Sequence, residues 1–348
     1  AGNKALVIDG VIPIINSVSS NVNDGLYKLG DTLGITITFN EAVYVVGTPQ
    51  ISLETGNQDA IVDYTRGNGT SILTFTYTVS AGEVASDLDY VGSIALGLNE
   101  GSIKDAAGNN VVMTLPEPGA SGSLGNNKAL VIDGIVPTVF SVSSTSADSV
   151  YKIGDVIPIL ITFSEAAFVD TTSGKPRITL ETGTQDTYAE YSSGSGTTVL
   201  RFLYTVASGN VSNDLDYLSD SALVFNNGTI LDAAGSSADL SLAAPGAAGS
   251  LSANKNLFID GLSPSITSVS SNEIDTTYSI SDTLGITVTF SEAITVSGTP
   301  QLTLETGTSD ALANYLSGTG TNVLTFQFIV VNGHASADLD IASSSALS

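Results

Sequence analysis

The chain has 348 residues and carries 35 Asp plus Glu against 10 Lys plus Arg, a formal net charge of −25. That balance excludes nucleic acid and anionic membrane surfaces as partners, because both require positive charge, and it makes cations the natural counterpart. With no cysteine there is neither a disulfide framework nor a thiolate zinc site, and no apolar run approaches the ~18 residues of a membrane-spanning helix.

Hydrophobic residues make up 42% of the chain, glycine numbers 35 and tryptophan is absent, with Ser, Thr, Val and Ile abundant. This composition predicts an all-β fold of many short strands joined by turns. The first element is "NKALVIDG" at Asn3 to Gly10, which recurs at Asn127 to Gly134 and returns as "NKNLFIDG" at Asn254 to Gly261. A proline follows three residues after each glycine: Pro13, Pro137 and Pro264. The element reads as the last strand of one β-sandwich, and Asp-Gly-x-x-Pro as a short junction stiffened by proline. The repeat therefore divides the chain into residues 1–9, the last strand of a preceding repeat, and repeats at 10–133, 134–260 and 261–348. The third lacks its final strand. A window onto a longer array is expected; the second reading is an orphan strand that completes a neighbouring molecule's sandwich.

Next come strands at Ile14 to Ser19 and at "GITITF" 34 to 39, where Ile35, Ile37 and Phe39 share one face. Strands follow at Gln50 to Glu54, Ala60 to Tyr64, Leu73 to Val79, Leu88 to Leu98 and Lys128 to Ile132. "VVMTL" at 111 to 115 reads as an eighth strand or an ordered loop. In the strand 73 to 79 the alternate positions Leu73, Phe75, Tyr77 and Val79 return as Leu200, Phe202, Tyr204 and Val206, then as Leu324, Phe326, Phe328 and Val330. The other face drifts between copies. About seven strands per unit is the count of tandem immunoglobulin-like β-sandwich domains, expected to stand end to end as a rod. The extra residues of the middle copy fall in "FVDTTSGKP", a lengthened loop.

Most remaining recurrences are carboxylates. Strand direction places Asp9, Glu41 and Asp105 at one pole of the first sandwich, and Glu54, Asp59, Asp87 and Asp89 at the other. Across the junction Asp87 and Asp89 are expected to face Asp133 and Glu165. The same set continues as Asp214, Asp216 and Asp232, then Asp260, Glu292, Asp338 and Asp340. Carboxylates crowded together repel unless a cation neutralises them. Ca²⁺ suits such a set, since it accepts about 6–8 oxygen ligands in flexible geometry, whereas Mg²⁺ prefers its own water. The competing assignments are local: Asp87 and Asp89 as turn acids that bond their own backbone, Tyr90 and Tyr217 as a tyrosine corner, and Asp31, Asp155 and Asp282 as ordinary turn acids.

With the repeat in hand, "Y-K-x-G-D", "I-T-F-x-E-A", "L-E-T-G", "D-L-D-Y" and "I-x-D-A-A-G" together resemble the SwmB-type immunoglobulin-like repeats of very large bacterial cell-surface proteins, over nearly the whole chain. Such repeats are similar in role to the extender modules of calcium-dependent adhesins. The resemblance implies an extracellular, cell-surface location and an array stiffened by calcium ions at its junctions, with neighbouring repeats or identical chains as partners.

Two other classes compete with a structural stalk. A module that binds glycans or a cell surface would use exposed aromatics such as Phe168 and Tyr188. An enzyme would need paired carboxylates or the lone histidine, His334, which occupies the loop position of Glu83 and Asn210 and reads as a solvated loop residue. The same acids recur in every copy, which favours a repeated joint over a triplicated active site, so no enzyme is expected. Lys4, Lys128 and Lys255 recur as candidates for an internal isopeptide with asparagine, and Asn68, Asn210 and Asn227 open glycosylation sequons.

Overall fold

The computed structural model describes residues 8–348, so the strand expected over residues 1–9 lies almost wholly outside the described residues. The chain divides into two compact units, Ala1–Asp260 and Gly261–Ser348. The first holds two copies of the sequence repeat.

In the first copy the strands are β1 (Ile15–Ser20), β2 (Gly25–Lys28), β3 (Thr32–Val46), β4 (Gln50–Leu53), β5 (Ala60–Arg66), β6 (Thr70–Thr78), β7 (Val84–Ala85), β8 (Leu96–Gly97) and β9 (Ser102–Lys104). A helical turn, α1 (Leu124–Asn127), precedes β10 (Leu130–Asp133). A curled sheet runs in the order β1-β3-β6-β5-β4-β8, with β9 on the far half of β3, and a small sheet runs β2-β10-β7. Alternation explains the burial. Leu33, Ile35, Ile37 and Phe39 of β3 lie beside Leu73, Phe75, Tyr77 and Val79 on one face of the sheet, over a core that Leu130 and Ile132 of β10 close from the small sheet. The expected inner faces are therefore the observed ones, and Tyr64 packs edge-on to Phe75 at 6.0 Å. Of the outer positions of β6, Thr74 is nonetheless buried.

One irregularity shapes the site. Thr38 pairs with Ile72, but the next partner of β6 is Val43, opposite Thr70. The residues between them on β3 have no counterpart on β6, so the strand bulges and bends, and its far half pairs with β9 instead. Glu41 lies in this kink.

The segment Leu88 to Leu98, expected as a strand, is mostly turns, with only the bridge at Tyr90 and the two residues of β8 extended. Its acids are the reason: the Asp89 carboxylate accepts from the Tyr90 N–H at 3.0 Å, and such local bonds compete with a ladder. "VVMTL" is an ordered loop held by a bridge from Val112 to Ile14. The strands β2, β7 and β9 were not signalled, being too short for a period to show.

The second copy repeats this plan, and its last strand, Leu257–Asp260, lies between Ser149–Lys152 and Val211–Ser212. Its additional residues fall in a loop at 171–176, where the first copy has 47–49. The unit Gly261–Ser348 has a six-stranded sheet over a core of Leu284, Ile286, Val288, Phe326 and Phe328.

The strand β10 joins the first two copies. It lies parallel to β2, with Asp133 opposite Lys28, and antiparallel to β7, with Asp133 opposite Val84. Gly134 follows, donating to the Glu83 carbonyl at 2.7 Å and accepting from the Gly82 N–H at 2.9 Å. A Cβ on Gly134 would meet the backbone oxygens of Ser80 at 2.2 Å and Glu83 at 2.9 Å, so the position must be glycine. At Gly10 a Cβ would meet nothing within 4 Å. Gly134→Ala should therefore destabilise the first unit by about 1–3 kcal/mol in a calorimetric melt, while Gly10→Ala leaves the transition in place.

Candidate metal centre

Three structural devices bring acids together. The bulge in β3 aims Glu41, the "DAAG" turn after β9 supplies Asp105, and the junction supplies Asp9. One carboxylate oxygen from each lies within 4.8 Å of the others. The hinge acid is oriented by its own turn, since one Asp9 oxygen accepts from the Val11 N–H at 3.1 Å, as Asp133 does from Ile135 at 3.2 Å. Asp105 is buried and accepts from Asn109 through its backbone at 2.7 Å and its side chain at 2.6 Å.

The second-copy equivalents are Asp133, Glu165 and Asp232: Asp133 and Asp232 repel Glu165, without the three-way approach within 4.8 Å seen in the first copy, and the hinge acid comes from the strand that belongs to the first copy. One substitution alters the donors. Ser236 stands where the first copy has Asn109; its N–H donates to one Asp232 oxygen at 2.7 Å, but its side chain is too short to serve the other. Asp232 Oδ2 is left without a partner on a residue only 4% exposed. Glu41 Oε1, Glu165 Oε1 and Glu292 Oε1 are also buried without partners. Such oxygens cost free energy unless a proton or a cation meets them.

The electrostatics agree with the geometry. Burial, then repulsion from Asp9 and Asp105, raises Glu41 above the usual carboxylate range; burial, then Asp133 and Asp232, does the same to Glu165. Burial also pushes Asp105 upward, but hydrogen bonds from Asn109, Gly108 and Ala107 outweigh it and hold that group low. An all-oxygen set of carboxylates, with a buried glutamate oxygen that no protein group meets and no thiolate or imidazole, fits a hard cation, and Ca²⁺ better than Mg²⁺.

Other predicted site residues are placed elsewhere. Asp87 and Asp89 do not face Asp133 and Glu165. The Leu88 N–H donates to the carbonyl of Leu130 at the start of β10, whereas Asp133 ends that strand, about 10 Å further on at ~3.3 Å per residue. Asp89 instead anchors a loop of its own copy, accepting from the Gly119 N–H at 3.0 Å. Asp216 accepts likewise from Gly246 at 2.9 Å and from the Ser252 hydroxyl at 2.6 Å. A Cβ on Gly125 would lie 3.0 Å from the Asp89 carboxylate and 3.4 Å from that of Asp87, so both acids stand beside that loop. In the second unit Asp340 accepts from the Ile341 N–H at 2.7 Å, the Asp338 carbonyl accepts from the Ser336 hydroxyl at 2.8 Å, and Glu292 lies in the bulge of Thr283–Ile294. The tyrosine-corner assignment does not hold: Tyr217 donates to the Ala243 carbonyl at 2.6 Å and Tyr90 to that of Pro116, each 26 residues downstream, whereas a tyrosine corner bonds backbone a few residues upstream. Asp31 is a turn acid, accepting from the Lys28 N–H at 3.0 Å.

Two residues were missed or misread in sequence. Lys28 reaches from the first copy to the "DAAG" turn of the second, its Nζ donating to the Gly235 carbonyl at 2.9 Å. His334 is not simply solvated: its Nδ1 accepts from the Val331 N–H at 3.3 Å and its ring stacks on Phe328 at 5.3 Å. Lys255 is ion-paired with Asp148 at 2.9 Å, and Lys128 donates to the Val22 carbonyl at 2.7 Å. The exposed Tyr188 carries the Arg177 guanidinium 4.7 Å over its ring.

No protein-family model matches the sequence, and no curated protein matches it. Among solved structures the chain is similar to an I-band fragment of titin, with 10% identity and a TM-score of 0.31 over 93% of this chain and 90% of that one. It is also similar to native E. coli alpha-2-macroglobulin, at 7% identity and TM-score 0.18 over 96% and 20% of the two chains. The plexin A4 extracellular region gives 8% and 0.19 over 97% and 33%. At these scores the likeness carries no argument, and the all-β fold rests on the strand pairing. No helix among the described residues is long and apolar enough to cross a membrane.

Because the Glu165 carboxyl is raised from its ordinary 4.5, its contribution to stability is present in full below that pH and is lost as pH rises through the folded-state value. In chelator at pH 7, Glu165→Gln should therefore raise the midpoint of thermal unfolding by roughly 2–4 °C. The gain should vanish towards pH 4, and saturating calcium should reverse the order of wild type and variant.

Proposed function

We propose that the chain is a structural extender: tandem immunoglobulin-like sandwiches set end to end as a rod, stiffened by Ca²⁺ at their joints, within an extracellular bacterial surface protein or fibre that serves adhesion or display. The observation that supports this best is the group Asp133, Glu165 and Asp232, where the acid ending a strand of one copy repels Glu165 of the next and buried oxygens of Glu165 and Asp232 have no protein donor. A cation there neutralises all three at once and ties the end of β10 to the bulge and turn of the following copy. Asp9, Glu41 and Asp105 are its counterpart in the first copy, with Glu292 in the third. The net charge of −25 points the same way, since the whole surface attracts divalent cations and repels polyanions.

Small-angle scattering tests the mechanism. Calcium should narrow the distribution of intramolecular distances and lengthen its maximum, and chelator should broaden it. Titration calorimetry should show heat that Asp133→Asn removes from one site. Superimposable profiles with calcium and with chelator, together with no binding heat, would eliminate calcium stiffening.

A further inference from the structure

The outer face of the main sheet carries different chemistry in the middle copy. On that face the first copy has Gln50 bonded to Asp63, its Nε2 donating at 2.8 Å, and the third has Gln301 bonded to Asn314 at 2.8 Å. Each pair closes on itself. The middle copy has Arg177 opposite Glu190 in the same register, and the two do not join. The Arg177 guanidinium lies instead over the ring of Tyr188, 4.7 Å from its centroid, and among the described residues it belongs to no ion pair. Tyr188 stands where the other copies have Ile61 and Leu312, and it is 46% exposed.

A groove of about 650 Å³ opens beside this pair, within the size range of small-molecule sites. Tyr188, Glu190 and the half-buried Leu203 line it along the sheet, and Thr171 and Lys175 line it from the lengthened loop. Lys175 stands where the other copies have Thr48 and Thr299. Arg201, exposed on the same face two residues from Leu203, stands where they have Thr74 and Thr325. Three of the chain's ten Lys and Arg thus gather here, set against one acid, Glu190. Asp170, at the foot of the loop, is taken up by Thr172 and accepts from its N–H at 2.8 Å. On a chain of net charge −25 this is an electropositive island. Exposed charges are screened beyond about 8 Å at physiological ionic strength, so a ligand in the groove responds to the island rather than to distant acids.

We propose that this groove of the middle copy binds a carboxylated saccharide, one built of uronate-type sugars. The Arg177 guanidinium, oriented by the Tyr188 ring, offers a planar fork to a carboxylate, and Lys175 adds a second cation from the loop. Glu190 selects the rest of the ligand. An ionised carboxylate accepts hydrogen bonds and repels anions, so it disfavours a bare phosphate or sulfate and suits a molecule with hydroxyl donors close to its charge. Thr171, Thr187 and Thr205 line the groove with further hydroxyls, while Tyr188 and Leu203 give apolar surface for the C–H face of a sugar. The groove shares no residue with the acids proposed to hold Ca²⁺, so an extender carries this attachment point in one of its repeats independently of the metal.

Titration calorimetry of the whole chain with trigalacturonate and triglucuronate tests this, in buffer freed of calcium over chelating resin so that neither metal bridges nor a soluble chelator take part. Saturable binding of one of them is expected, with a neutral galactose trisaccharide bound at least about 10-fold more weakly. Variants that carry the residues of the other copies should keep the fold, checked by an unchanged thermal melt. Arg177→Gln and Lys175→Thr should each weaken binding at least about 10-fold, and Arg201→Thr by roughly 2-fold, since it acts only through its nearby charge. Arg66→Gln, which removes an exposed cation from the first copy, should leave binding unchanged. Polyglutamate stands for the competing occupant, an acidic protein surface, and should bind more weakly than the saccharide. No heat with either uronate, equal affinity for the neutral trisaccharide, tighter binding of polyglutamate, or indifference to Arg177→Gln and Lys175→Thr would overturn the proposal.

Discussion

Everything else in the first unit follows from where one short strand is held. The strand β10 lies in the middle of a three-stranded sheet, bonded on both edges, with two side chains in the core and its last residue against Lys28 and Val84. That arrangement leaves no freedom to the residue that comes next. Gly134 runs so close to the backbone of 80–83 that no side chain fits, and the hinge aspartate is delivered to a fixed place beside the next copy. The repeated Asp-Gly thus combines two demands: a side chain that must be an acid, and a successor that must have none.

Whether an acid in this protein serves structure or charge is decided by its donors. Asp31, Asp89 and Asp216 accept from backbone N–H groups of nearby turns and hold loops in place. Glu41 and Glu165, in the bulges, keep a buried oxygen with no donor and are raised first by burial and then by neighbouring acids. The two kinds look alike in sequence, since both recur at fixed spacing. The contrast between Asn109 and Ser236 shows how small the deciding difference is: one side chain reaches across and satisfies its aspartate, the other stops short.

The turn after β6 shows a different economy. Glu83 accepts from the Tyr77 hydroxyl and the Ser80 N–H, and Asn210 accepts from the Tyr204 hydroxyl and the Ala207 N–H. The third copy has Phe328 in place of the tyrosine, so only the N–H remains to be satisfied, and His334 does this while its ring covers the phenylalanine. Three unlike residues close one turn, and their unlikeness follows the residue beneath them. Sequence comparison of the copies showed the variation but not the contact that explains it.

The amino-acid sequence by itself determined the all-β class, the repeat, the inner faces of the long strands and the membership of the acid set at Asp9, Glu41 and Asp105. Those features are local or periodic, and alternation and spacing express them directly. Tertiary structure alone decided that Leu88 to Leu98 turns rather than extends, that Asp89 binds a loop of its own copy, and that Lys28 reaches the following copy. Each depends on which backbone groups a side chain meets across the fold, a relation between distant residues that no periodicity records.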